Sequence, residues 1–209
     1  MTKIIAIANQ KGGVGKTTTT INLATAMAAT NKKTLIIDAD PQANASTGMG
    51  ILENDRDPCL YKMLTTGFFD NESIKKTFIP NLDIITSTND LAASEIELAE
   101  IDEREIRLKN ILNKINKYDY FFIDCPPALG LLTINSLVAS NSVIVPLQCE
   151  FFALEGLSAL MKTIQSIKKN FNNSLDIEGV VLTMHDKRNT LSLLVENDVR
   201  EYFAEKVYK

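Results

Sequence analysis

The chain has 209 residues, 45% of them apolar and 23% charged, with a formal net charge of −4 and a sequence pI near 5.1. This length and apolar content suffice for one substantial core and predict a single domain over residues 1–209. The acidic balance excludes bulk electrostatic attraction to nucleic acid, so any such contact has to come from a local patch.

The first predicted strand, Ile4–Ala8, runs into Asn9-Gln10-Lys11-Gly12-Gly13-Val14-Gly15-Lys16-Thr17-Thr18. Glycines here let the backbone adopt positive φ and turn successive N–H groups toward one anion, and the helix that follows adds its positive dipole end. Lys16 supplies a point charge for the β- and γ-phosphates, and the Thr17 hydroxyl suits Mg²⁺. The general phosphate-loop pattern asks for Gly at position 10 and makes no demand at 11, whereas this chain has Gln10 and a second lysine, Lys11. One loop cannot easily aim two lysines at one γ-phosphate. The spacing therefore predicts that Lys11 projects toward a phosphate held by another subunit, the alternative being a solvated surface lysine.

A helix is expected over Thr18–Ala29, then a buried strand, Thr34–Ile37, ending in Asp38-Ala39-Asp40-Pro41. Carboxylates two residues apart on extended chain share a face. Beside a nucleotide, one can hold Mg²⁺ through its water shell while the other orients or deprotonates an attacking water. The alternative is a pair of turn caps before Pro41. Leu52–Pro80 is less periodic and reads as short helices and surface loops.

Further strands are expected at Leu82–Thr86, Tyr120–Ile123, Ser142–Val145 and Ile177–Thr183, and helices at Ile106–Ile115, Leu131–Ala139 and Leu154–Ile167. Near-continuous apolar strands alternating with helices predict a doubly wound α/β fold: a mostly parallel sheet covered on both faces, with ligands at the carboxyl ends of the strands. Asp124, closing the Tyr120 strand, fits the Walker B acid that binds Mg²⁺. Cys59, Cys125 and Cys149 lack metal-ligand spacing and read as reduced thiols of a cytoplasmic protein, and Cys125 as a small buried residue. No apolar run is long enough for a membrane helix.

His185, the only histidine, reads as a loop residue. Lys187, Arg188, Arg200, Lys206 and Lys209 make the C-terminal region locally basic. Leu191, Leu194, Val195, Val199, Tyr202 and Phe203 fall on one helical stripe, after which Lys206–Lys209 resembles the start of a strand. This half-built strand suggests a fragment of a longer protein.

Four segments together carry a family resemblance: the loop from Asn9 to Thr18, Asp38-Ala39-Asp40-Pro41-Gln42-Ala43-Asn44, Asp124-Cys125-Pro126-Pro127, and Val145 to Gly156. They resemble the ParA/Soj chromosome and plasmid partition ATPases, whose phosphate loop is a deviant Walker A. The resemblance implies an ATP-bound homodimer that sandwiches two ATP molecules, with Lys11 reaching the partner's phosphates and Gly12 at the tight interface. Lys11, Lys16 and Asp40 are then the expected catalytic residues, hydrolysis but not ATP binding depending on Asp40. Residues 11–18 (Lys11, Gly12, Gly13, Val14, Gly15, Lys16, Thr17 and Thr18) would hold the nucleotide, and Thr17, Asp38 and Asp124 the Mg²⁺.

It further implies non-specific double-stranded DNA binding, with Arg188 at a DNA-contacting position, hydrolysis stimulated by a ParB/Spo0J-like centromere-binding partner, and a cytoplasmic, nucleoid-associated protein. Family members continue for several dozen residues beyond Lys209, through a segment contributing adenine contacts and further basic residues. A MinD-like membrane-cycling ATPase is the alternative, but the segments after Asp40 and Gln148 look partition-like and no membrane partner is expected. Cluster-assembly ATPases need paired cysteines that the spacing does not provide. A non-hydrolysing scaffold fits poorly with the presence of Asp40 and Asp124.

Overall fold

The computed structural model describes residues 2–208. Seven strands form one sheet: β1 Lys3–Ile7, β2 Thr34–Asp38, β3 Ile74–Lys76, β4 Leu82–Ile85, β5 Tyr120–Asp124, β6 Ser142–Gln148 and β7 Asp176–Thr183. Eight α-helices connect them: α1 Lys16–Ala29, α2 Asn44–Gly48, α3 Leu60–Thr66, α4 Ser94–Glu97, α5 Arg107–Leu112, α6 Leu131–Ala139, α7 Ala153–Asn170 and α8 Thr190–Phe203. The strand order is β3-β4-β2-β5-β1-β6-β7, with every neighbouring pair parallel except β3 against β4. From β1 the chain steps outward past β2 to the edge strand β3, comes back through β4 beside β2, inserts β5 between β2 and β1, and then continues on the other side. A crevice follows at the carboxyl ends of β1, β2 and β5, as such a reversal of direction requires.

Alternation within the strands sends neighbouring residues to opposite faces. Leu35, Ile37, Phe121, Ile123, Val143 and Val145 belong to one apolar cluster, shared with Met63, Leu108, Leu137, Leu160 and Val199 of the covering helices. Ile5, Ile7, Ile36, Ile84, Phe122 and Ile144 belong to the other, closed mainly by Ala24, Ala28 and Met49. Small alanines let α1 lie close to the sheet, which fixes the phosphate loop at its start.

Three expectations need correction. The stretch read as loops before Pro80 contributes an antiparallel edge strand, β3. It is too short to show alternation, and its two lysines are the usual protection of an exposed edge. The helix expected over Ile106–Ile115 is shorter: a 3₁₀ turn, Arg104–Ile106, precedes α5, and i→i+3 bonds from Lys114 and Ile115 close it. The buried stripe of α8 is Ser192, Val195, Val199 and Phe203, whereas Leu191, Leu194 and Tyr202 are exposed.

The C-terminal run gives a single parallel bridge, Val207 to Val180, and Tyr208 N donates to Val180 O at 3.0 Å. Lys209 lies outside the described residues. Beneath that bridge sits Gly179, where a Cβ would come within 2.5 Å of the Tyr208 ring and 2.8 Å of the Lys206 carbonyl. Gly179→Ala is expected to displace the tail and destabilise the protein by about 1–3 kcal/mol, the usual range for overpacking. A thermal melt at the parental midpoint would show that the bridge contributes nothing in solution.

Candidate nucleotide site

The loop after β1 is held by polar groups buried beneath it. Asn9 Nδ2 donates to Pro146 O at 2.7 Å, and Asn9 Oδ1 accepts from Lys11 N at 3.1 Å. Thr183 Oγ1, at the end of β7, donates to Val14 O at 2.9 Å. Gly13 and Gly15 have φ of +73° and +88°, and a Cβ at Gly13 would meet nothing within 4 Å, so the loop presents bare backbone. Helix α1 starts with no side-chain cap and no acid in its first turn. Its unpaired N–H groups and positive end therefore face the crevice, the arrangement that suits a phosphate.

A cavity of about 450 Å³ opens there, lined by Gly12, Gly13, Gly15, Lys16, Thr17, Thr18 and, from the opposite side, Asp40, Gln42, Asn44 and Pro127. Lys16 is 7% exposed, and its Nζ donates to Lys11 O at 2.9 Å. Burial lowers its pKa, with Asp124, Cys125 and Asp40 opposing that shift.

Beneath the cavity floor lie two wholly buried acids, Asp38 and Asp124, at paired positions on adjacent strands β2 and β5. Asp124 Oδ2 accepts from Thr17 Oγ1 at 2.7 Å and Oδ1 from Thr20 Oγ1 at 3.1 Å. Burial raises its pKa to about 7; the charges of Asp38 and Asp40 add to the rise, and the two threonines oppose it. Asp38 is pushed to about 6 by burial, although Ser46 N and Ser46 Oγ both donate to its Oδ2 at 2.7 Å. Two elevated carboxylates beside one buried ammonium leave a surplus of negative charge. Among the described residues no three His, Cys, Asp or Glu side chains converge as a ready metal cage. The oxygen donors Thr17 and Asp124, in contact at 2.7 Å, fit a hard cation such as Mg²⁺, which takes one or two carboxylates and completes its shell with phosphate and water.

Of the expected metal ligands, the structure thus brings Thr17 and Asp124 into contact, while Asp38 engages Ser46 and anchors the turn that carries Asp40. Asp40 itself reaches the cavity, its Oδ1 accepting from Gln42 N at 3.0 Å. Cys125 is buried and its thiol is pushed up to about 12, principally by burial.

Lys11 does not line the cavity. Its ammonium is ion-paired with Glu150, just beyond β6. Next to that pair Phe151 and Phe152 stand 75% and 65% exposed, edge to face at 5.0 Å.

The expected basic C-terminal region is largely neutralised. Arg188 pairs with Asp186, Arg200 with Glu196 and Lys206 with Asp176; Lys187 alone among the described members makes no ion pair. His185 lies in the loop after β7, its buried Nε2 2.9 Å from Glu196 Oε2. Sequence reasoning missed Thr20, Ser46, Glu150, Thr183 and Asp186. Only Thr20 carried a local signal, lying three residues after Thr17 and so on the same face of the helix.

A family model described as an AAA domain matches residues 2–177. The sporulation initiation inhibitor protein Soj of Bacillus subtilis is 51% identical over all of this chain and 83% of its own length. Chromosome partitioning protein ParA of Caulobacter vibrioides is 51% identical over 99% of this chain and 78% of its own. A crystal structure titled cobyrinic acid a,c-diamide synthase from Mycobacterium smegmatis, with bound ADP and magnesium, superposes with a TM-score of 0.91 at 34% identity, covering 98% of this chain and 83% of that one. No helix among the described residues is long and apolar enough to cross a membrane. The glycine cradle, the acids at the strand ends and 51% identity to Soj and ParA along this chain converge: the chain belongs to the ParA/Soj family of partition ATPases.

Proposed function

We propose that this protein is a slow ATPase of DNA partition, in which ATP gates the pairing of two copies and the pair binds double-stranded DNA without sequence preference. A ParB-like centromere-binding protein then stimulates hydrolysis and releases the DNA. The observation that carries this reading is the division of labour between the two loop lysines: Lys16 faces the phosphate cavity, whereas Lys11 lies outside it, ion-paired on the rim. A lysine so placed suits a phosphate brought by a second subunit.

In this reading, backbone N–H groups of residues 12–17 and the Lys16 ammonium bind the phosphates, with the Thr18 hydroxyl at the mouth. Mg²⁺, when bound, neutralises charge on the β- and γ-phosphates. Thr17 and Asp124 would hold it, with Asp38 contributing negative charge behind them and fixing the Asp40 turn. Asp40 accepts a hydrogen bond from the attacking water and aims it at the γ-phosphorus. Gly12 lies at the seam between subunits. Soj and ParA resemblance over the whole chain favours partition chemistry over the metabolic reaction named for the Mycobacterium structure, where identity is lower.

Light scattering after size exclusion tests the assignment. With ATP and Mg²⁺ the parental chain is expected to run as a dimer. Lys11→Ala should stay monomeric while still binding nucleotide, and Asp40→Ala should form a dimer that persists because turnover falls by at least about 10²-fold, the usual scale for losing a general base. Equal dimerisation by Lys11→Ala, or parental turnover by Asp40→Ala, would refute the role given to each.

The acids also predict a pH dependence. Asp38 and Asp124 have folded-state pKa values of about 6 and 7, above the ordinary value near 4. Their contribution is therefore neutral below about pH 4 and grows more destabilising until about pH 7, because the unfolded chain has released protons that the fold still holds. Without divalent cation, Asp124→Asn should melt above the parental protein at about pH 8, by roughly 2–4 °C per kcal/mol relieved, with little difference near pH 4. Mg²⁺-dependent turnover should be lost. A melting difference that does not grow with pH would contradict the assigned burden on Asp124.

A further inference from the structure

The loop between β7 and α8 offers its arginine in an unusual way. Arg188 is almost wholly exposed, yet its guanidinium is engaged on one full edge: Nε donates to Asp186 Oδ1 at 3.0 Å and Nη2 to Asp186 Oδ2 at 2.9 Å. Arg188 N also donates to Asp186 Oδ1, at 2.9 Å. A two-pronged fork of this kind is the geometry in which arginine recognises a phosphate. Asp186 thus presents Arg188 with the same pattern of two acceptor oxygens that a DNA backbone would present.

We propose that Asp186 is an electrostatic mask on the DNA-contacting arginine, holding its phosphate-binding edge until DNA displaces the carboxylate. This rests on the proposed DNA binding and on the DNA-contacting position that the family resemblance implies for Arg188. Because the pair is exposed, its strength is modest and a phosphate can compete with it. The carboxylate also remains beside the loop after displacement and opposes the incoming backbone. Each protomer consequently grips DNA weakly, and useful affinity requires two protomers joined so that the second contact is intramolecular. Asp186 would in this way make DNA binding depend on the nucleotide-driven pairing of subunits.

Asp186 also shapes the loop through the backbone bond to Arg188, and a purely structural role predicts the opposite result on substitution. Asp186→Asn separates the two, because the amide oxygen can still accept from Arg188 N while the negative charge is gone. The full chain, with ATP and Mg²⁺, is titrated into a fluorescent duplex of arbitrary sequence across about 50–200 mM salt. Asp186→Asn is expected to bind about two- to five-fold tighter per protomer, the worth of an exposed ion pair. Arg188→Ala should weaken binding, and most of the gain from Asp186→Asn should vanish in the double variant.

Parental or weaker binding by Asp186→Asn overturns the mask. If in that case Arg188→Ala still weakens binding, the DNA-binding role survives alone. If no variant or parent binds the duplex, or Arg188→Ala binds as the parent does, the DNA-binding role of Arg188 fails and the mask fails with it.

Discussion

Two acids buried side by side beneath a phosphate cradle, with one buried ammonium to balance them, form the constraint around which this molecule is organised. The parallel pairing of β2 and β5 leaves no choice in the matter: it puts Asp38 and Asp124 at matched positions, and helices on both faces remove water from them. Desolvation raises both carboxyls. They are tolerated because Thr17, Thr20 and Ser46 are built to donate to them. The same donors tie α1 and the Asp40 turn to the sheet, so a local electrostatic burden becomes the device that positions the site.

A second regularity concerns the two cations for which a contact beyond their own protomer is proposed. Lys11 and Arg188 come from different loops, and each is held by an acidic neighbour, Glu150 and Asp186. The two loops share one frame, since Thr183 at the end of β7 bonds the phosphate loop at Val14 and Ser192 of α8 bonds the Cys149 carbonyl next to Glu150. Thus neither of these two cations is freely displayed. Lys11 and Arg188 are each balanced within the protomer, and a partner or phosphate has to offer a better acceptor.

Much of this was legible in the sequence, for physical reasons. A strand buried on both faces writes itself as an unbroken apolar run, and a loop that must wrap phosphate needs glycines at fixed places, so β1, β2, β5, β6 and the cradle were readable. Asp40 and Asp124 followed from their positions after strands. Edge strand β3 was not readable, because three residues with two lysines show no period. The exposed Leu191 and Leu194 misdirected the face of α8, where Ser192 takes a buried place by bonding a carbonyl. Glu150 and Asp186 could not be assigned, since an ion pair is a relation in space. The bonds that Asp38 accepts from Ser46, eight residues away, are invisible to a pattern of neighbouring carboxylates.

The central claim is that magnesium and nucleotide complete a site whose buried acids are otherwise partly protonated. Its most direct test is calorimetry of Mg²⁺–nucleotide binding near pH 6.5 in two buffers of different ionisation enthalpy, since about pH 6.5 lies between the values near 6 and 7 for Asp38 and Asp124. The account predicts that binding releases protons, that the release fades above about pH 8, and that Asp124→Asn diminishes it. Heats identical in the two buffers, or proton release unaltered in that variant, would contradict it.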